Sequence, residues 1–234
     1  MRALHARATP GLAVDSIQAD EIWGWVGCKK KTALRLGYQD KPVGDAYCFT
    51  AIDKASKLLI CFHLGRRDQD NTDIFCRKLA VAVQGNFQLS TDGYHTFAPA
   101  VGWHLSGRTD YGQVIKTFGA TTDDQMHFGS PTIISMRKSR IYGDIDFRDI
   151  CTSHCERLNG TIRNYVKRIG RLTYAFSKKW ENHQAALALF FMAYNYAKPH
   201  KTLKKRTPAM THGLTDHVWT IRELLVATSD STPR

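Results

Sequence analysis

The chain has 234 residues, 43% of them apolar, enough to bury a full core as one large domain or two small ones, which excludes disorder as its default state. Its 33 basic against 21 acidic side chains give a formal charge of +12, which points to a polyanionic partner, because lysine and arginine gain by displacing counterions from phosphates. The longest apolar run, Ala185 to Phe191 extended to Tyr196, is shorter than the roughly 20 residues of a membrane span, and the segment Met1 to Arg7 lacks the apolar stretch of a secretory signal; the expectation is a cytoplasmic protein with no membrane partner.

In chain order, residues 1 to 15 mix Arg, His, Pro and Gly without periodicity and read as a linker, with the fold starting near Ser16. Ile17 to Gly27 reads as a first strand, and Lys29 to Gly44 as a basic loop. Asp45 to Ile52 and Leu58 to Leu64 are β-prone runs flanking the turn Asp53-Lys54-Ala55-Ser56, hence a hairpin. Ile74, Leu79, Ala80 and Val83 recur at helical spacing over Asp70 to Val83, with Asn71 or Thr72 as cap. A strand over Phe87 to Thr91 ends at Asp92, a helix follows over Tyr94 to Trp103, and a strand over Gln113 to Phe118. Thr121 to Ile150 carries no clear period and reads as an insertion or loop. Ser153 to Gly170 and Asn182 to Ala197 are helices, the second ended by Lys198-Pro199, since proline disfavours helical geometry in its predecessor. Strand, hairpin, helix, strand and then a late helix is the order of an α/β, ribonuclease H-like domain, a mixed sheet flanked by helices in which the first and fourth strands lie side by side. The expected division is 16–180 for this domain and 181–234 for a helical C-terminal extension.

Three carboxylates stand out in that frame. Asp20 lies in the first strand, Asp92 at the end of the fourth, and Glu156 heads a stretch from Arg157 to Lys179 with seven Lys or Arg and no acid. Phosphodiesters resist attack because the nucleophile approaches an anion and the leaving oxygen must accept charge, and two magnesium ions about 3.5 to 4 Å apart relieve both problems. Such hard cations take oxygen ligands and keep several waters, so a few carboxylates suffice. Without metal the same carboxylates repel, by roughly 4 kcal/mol per pair at 4 Å and an effective dielectric near 20. Each has a plainer explanation. Asp20 fits a solvated strand-end residue, with Glu21 as the functional one or neither; Asp92-Gly93 is a common turn dipeptide; Ser153-x-x-Glu156 is a capping box.

After Glu156, Arg157, Asn159, Arg163 and Lys167 continue along the helix, with Lys178 and Lys179 beyond it, as a basic stripe suited to a DNA backbone. Cys151-x-x-x-Cys155 lacks the second pair a zinc site needs, and no histidine spacing marks Cys155 as a nucleophile. The six cysteines read as reduced core thiols, and Trp23, Trp25, Phe190 and Phe191 as core rather than base-stacking surfaces.

With those residues in view, the chain resembles a DDE transposase of the insertion-sequence-one type, found in bacterial mobile elements, over about residues 16 to 225. The resemblance is carried by Gln18-Ala19-Asp20-Glu21-Ile22-Trp23, Ala51-Ile52-Asp53, Thr91-Asp92-Gly93, Cys155-Glu156-Arg157-Leu158-Asn159, Ala175-Phe176-Ser177-Lys178-Lys179, and Tyr194-Asn195-Tyr196 with Pro199-His200-Lys201. It implies that Asp20, Asp92 and Glu156 are the catalytic metal ligands and that the cofactor is Mg²⁺, with Mn²⁺ as a substitute and two ions in all. It implies cleavage at element ends followed by attack of the freed 3′-hydroxyl on target DNA, by a homo-oligomer on double-stranded DNA. Members of that family usually carry an N-terminal DNA-recognition segment, and here about 15 residues precede the first strand. Two further readings are a catalytically silent DNA-binding regulator or relic, and a stand-alone nuclease of the same fold.

Overall fold

A computed structural model describes residues 11–38, 40–119 and 132–229. Its strands are β1 (Leu12–Ala13), β2 (Ser16–Val26), β3 (Gly44–Asp53), β4 (Leu59–Gly65), β5 (Val83–Gln84), β6 (Phe87–Asp92), β7 (Thr109–Phe118) and β8 (Ile133–Tyr142). The helices are α1 (Lys30–Arg35), α2 (Gln69–Ala82), α3 (Phe97–His104), α4 (Ser153–Tyr165), α5 (Trp180–Met192), α6 (Pro208–Thr211) and α7 (Ile221–Ser229). Six strands form one mixed sheet in the order β4-β3-β2-β6-β7-β8. The first long strand and β6 are parallel neighbours, as the element order predicts.

Strand β2 is central and carries apolar residues on both faces, as a doubly covered strand must. Ile17 and Ala19 point into a core shared with Phe75 and Leu79 of α2 and Phe97 and Val101 of α3. Ile22 points the other way, into a core with Cys155, Leu158 and Ile162 of α4 and Leu187 and Phe191 of α5. The β3–β4 hairpin turns where the sequence predicts: the Asp53 carboxylate accepts from the amide and hydroxyl of Ser56 at 2.7 and 2.5 Å, and Lys57 takes a left-handed φ of 62°. Trp25 is buried and stacks on Phe176 at 4.3 Å, in keeping with a core role.

Several elements differ from their sequence-based expectation. Leu12 and Val14 are buried and β1 pairs with β5, so the fold begins before Ser16; two apolar residues are too few to show a period. The loop after β2 contains α1. The cap of α2 is Asp68, which accepts from the Asn71 amide at 2.9 Å, and the polar first turn hides this start from an apolar period. The segment beyond 131, read as an insertion or loop, contains β8, antiparallel to β7, while residues 120–131 lie outside the described chain. Helix α4 stops at Tyr165 rather than Gly170: a 3₁₀ turn over Lys167–Ile169 follows, which drives Val166 and Ile169 into the core of Leu158 and Ile162.

Helix α5 widens into a π turn over Ala193–Ala197, which buries three consecutive residues, Tyr194, Asn195 and Tyr196. The Asn195 amide covers the edge strand β4, accepting from Leu59 N at 3.0 Å and donating to Leu59 O at 2.9 Å. Asn195→Leu strands both backbone groups at about 1–3 kcal/mol each, so a loss of roughly 2–6 kcal/mol is expected in urea unfolding.

Candidate metal centre

Pairing between β2 and β6 ends at Gln18↔Ser90, so two residues further on Asp20 and Asp92 face one another across the point where the strands part. Adjacent residues on a strand point to opposite faces. Beyond the end of β6, no strand among the described residues fills the space beside β2, and Asp20 from one face and Glu21 from the other both reach it. Asp20, Glu21 and Asp92 each offer a carboxylate oxygen there, all within 4.8 Å of one another. It is the one such group of potential metal ligands among the described residues.

Helix α4 runs alongside β2 in the same direction and is pinned to it at three points. The His154 amide donates to Gln18 Oε1 at 2.8 Å, Asn159 Nδ2 donates to Asp20 Oδ2 at 2.8 Å, and Arg163 Nη2 donates to Trp23 O at 3.1 Å. Cys155, Leu158 and Ile162 form the buried stripe, and Glu156, Asn159 and Arg163 form the stripe beside it, at helical spacing. Asp20 also accepts from the Glu21 amide at 2.8 Å, and Asp92 from the Tyr94 amide at 3.1 Å.

Glu156 is near this cluster without belonging to it. Its carboxylate pairs with Lys116 of β7, which lies two residues beyond the Val114 that faces Asp92. It also accepts from the Thr152 hydroxyl at 3.1 Å. Thr152, not Ser153, occupies the cap position and makes no side-chain cap bond, so the capping box that the sequence suggests is not formed.

The charges are strained. Burial raises the Asp20 carboxyl well above its usual range, reinforced by Glu21 and Asp92. Burial, then the Asp92 charge, pushes Glu21 up to about 7 despite Arg67. Burial also raises Asp92. Glu156 shifts the other way, lowered chiefly by the Lys116 hydrogen bond. The positive group inside the cluster is Arg67, whose Nε donates to Glu21 Oε1 at 2.6 Å, whose Nη2 lies 3.9 Å from Asp92 Oδ2, and whose guanidinium stacks 3.9 Å from the Tyr94 ring centre. An all-oxygen donor set with excess negative charge suits a hard divalent cation.

Of the residues predicted to contact DNA, Asn159 and Arg163 are tied to β2, Arg163 also donating to Ile169 O at 2.8 Å. Arg157, Lys167, Lys178 and Lys179 are exposed. Arg67 and Lys116 escape sequence reasoning: only the register of β4 and β7 brings them to the acids. The four deeply buried cysteines, Cys48, Cys61, Cys76 and Cys155, are free thiols.

No protein-family model matches the chain, and no curated protein matches it. Among solved structures it is similar to a piggyBac transposase in a cryo-EM structure of its synaptic complex with hairpin DNA, at 12% identity and a TM-score of 0.37, over 97% of this chain and 58% of that chain. The chain thus spans little more than half the length of that transposase. No helix among the described residues is long and apolar enough to cross a membrane.

Proposed function

We propose that this chain is the catalytic core of a DNA transposase of the DDE type, a ribonuclease H-like domain that cleaves phosphodiesters and joins a freed 3′-hydroxyl to target DNA with divalent metal. The observation that carries this reading is the convergence of Asp20 and Asp92 around the end of β6, with Glu156 on the helix packed beside β2. Within the six-stranded sheet, three antiparallel strands with two parallel ones added beside β2 support the ribonuclease H-like reading, and β8 adds an antiparallel edge beyond them.

Asp20, Asp92 and Glu156 would hold Mg²⁺ or Mn²⁺, probed as a two-ion site. Metal bound there supplies positive charge that activates the attacking oxygen and stabilises the departing one. The chain's own residues do the positioning. Asn159 fixes the Asp20 carboxylate, the Tyr94 amide fixes Asp92, and Lys116 holds Glu156. Arg157 on the helix of Glu156, Lys167 just beyond it, and Lys178 and Lys179 further along the chain offer exposed positive charge for the DNA backbone. Replacing Lys167, Lys178 and Lys179 with alanine is expected to reduce the slope of log affinity against log salt by roughly 2 to 3, at about 0.9 per lost phosphate contact. An unchanged slope in a filter-binding titration would move the DNA elsewhere.

The test of the function itself is a joining assay on supercoiled plasmid with an oligonucleotide bearing a 3′-hydroxyl. Metal-dependent joined product supports a transposase core. Nicking without joining favours a stand-alone nuclease, and binding without either favours a silent regulator.

A further inference from the structure

Around the end of β6, two buried acceptor oxygens have no hydrogen-bond partner. The Glu21 side chain is only 3% exposed; its Oε1 takes Arg67, and its Oε2 is buried without a hydrogen-bond partner. Asn159 gives its Nδ2 to Asp20, and its Oδ1 is likewise buried and unpartnered. A buried acceptor left unmet costs about 1–3 kcal/mol, more when charged. Glu21 Oε2, in the cluster with Asp20 and Asp92, and Asn159 Oδ1, on the amide that holds Asp20, are both open to a positive group.

The spacing fits one ion. Octahedral ligands at about 2.1 Å from Mg²⁺ stand roughly 3 Å apart when adjacent and about 4.2 Å when opposite. The oxygens of Asp20, Glu21 and Asp92 lie mutually within 4.8 Å, so a pair opposite one another closes by at most about 0.6 Å and an adjacent pair by at most about 1.8 Å, within reach of side-chain rotation. Arg67 does not by itself account for Glu21 as a plain ion pair. It occupies one oxygen of the two, and it has a separate seat on Tyr94 at 3.9 Å.

We propose that Glu21 is a ligand of the first cation together with Asp20 and Asp92, and that Arg67 is the counter-cation positioning its carboxylate. This rests on the metal-dependent reading above and adds a fourth carboxylate to it, with Glu156 left for the second ion. Strand β2 thereby contributes two consecutive ligands, one from each face, because β6 stops beside them.

The test is Mn²⁺ binding by the full chain, read from loss of the free-ion signal in electron paramagnetic resonance, so that no catalytic turnover is needed. Wild type, Glu21→Gln, Glu21→Asp and Asp92→Asn are compared, with circular dichroism confirming the fold. Affinity for the first ion is expected to fall by about tenfold or more in both Glu21 variants, at least the loss seen when outer-shell partners are removed. Glu21→Asp keeps the charge one methylene short and decides the matter if Glu21→Gln does not fold. Wild-type affinity in a folded Glu21 variant, with binding lost in Asp92→Asn, would overturn the role of Glu21 and leave the metal reading standing. Failure of wild type to bind Mn²⁺, or equal binding by Asp92→Asn, would overturn the metal reading itself.

Discussion

Asp20→Asn is expected to abolish metal-dependent cleavage and, in the absence of metal, to raise the melting temperature. The first effect follows from removing a proposed metal ligand, whose loss should exceed the roughly 100-fold that outer-shell changes cause. The second follows from the strain in the cluster. One carboxylate pair at 4 Å repels by about 4 kcal/mol at an effective dielectric near 20. The asparagine keeps one acceptor for either the Glu21 amide or Asn159, so one of the two hydrogen bonds to Asp20 is lost, at about 1 kcal/mol. A net gain of roughly 1–3 kcal/mol corresponds to about 2 to 12 °C in a chain of this size.

The pH dependence has a definite sign. Glu21 is raised from 4.5 to about 7 in the folded protein, so between those values the folded state holds a proton that the unfolded state has released. That contribution to stability is complete below about 4.5 and is lost as pH rises through about 7, at up to about 1.4 kcal/mol per pH unit. Mg²⁺ should flatten the loss in wild type and have little effect in Asp20→Asn. Differential scanning fluorimetry in EDTA and in Mg²⁺ checks both; a lower melting temperature for Asp20→Asn in EDTA would contradict the strained cluster.

Glu156→Gln should separate chemistry from stability. Nicking is expected to fall by more than roughly 100-fold, by the same ligand argument. The fold should change by less than about 1 kcal/mol in urea, for two reasons. Glu156 makes no capping bond, and its pair with Lys116 is half exposed, in the range where ion pairs contribute about 0–1 kcal/mol. The substituted glutamine would still accept from the Thr152 hydroxyl through its amide oxygen. Retained nicking would remove Glu156 from the site, and a large loss of stability would restore a structural role.

The hairpin, α2 and β6 are legible in the sequence because each is written in local period or turn chemistry, and the adjacency of β2 with β6 is legible from the order of the elements. Asp92 is legible as an acid at a strand end, whereas Asp20, expected at a strand end, lies inside β2, beside the point where β6 parts from it. Glu21 is legible only as an alternative to Asp20, since alternation along β2 sends neighbours to opposite faces. Their convergence depends on β6 ending beside them, a fact of register rather than of β2. The basic stripe is half legible: composition identifies the positive charge, but Arg163 turns inward to backbone carbonyls that a sequence does not reveal. The end of α4 at Tyr165 is hidden because Val166 and Ile169 satisfy both a helical and a 3₁₀ spacing. Strand β8 has exposed apolar residues, Ile133, Ile134 and Met136, which break the alternation that would have marked it.

Asp20, Asp92 and Glu156 are proposed to perform metal-dependent chemistry on DNA. The most direct test of that role is nicking of supercoiled plasmid in Mg²⁺ or Mn²⁺ by wild type and Asp92→Asn at equal DNA occupancy. Nicking by wild type that needs the metal and vanishes in Asp92→Asn is the predicted result. Equal nicking by both, or DNA binding with no metal-dependent cleavage by wild type, would contradict it.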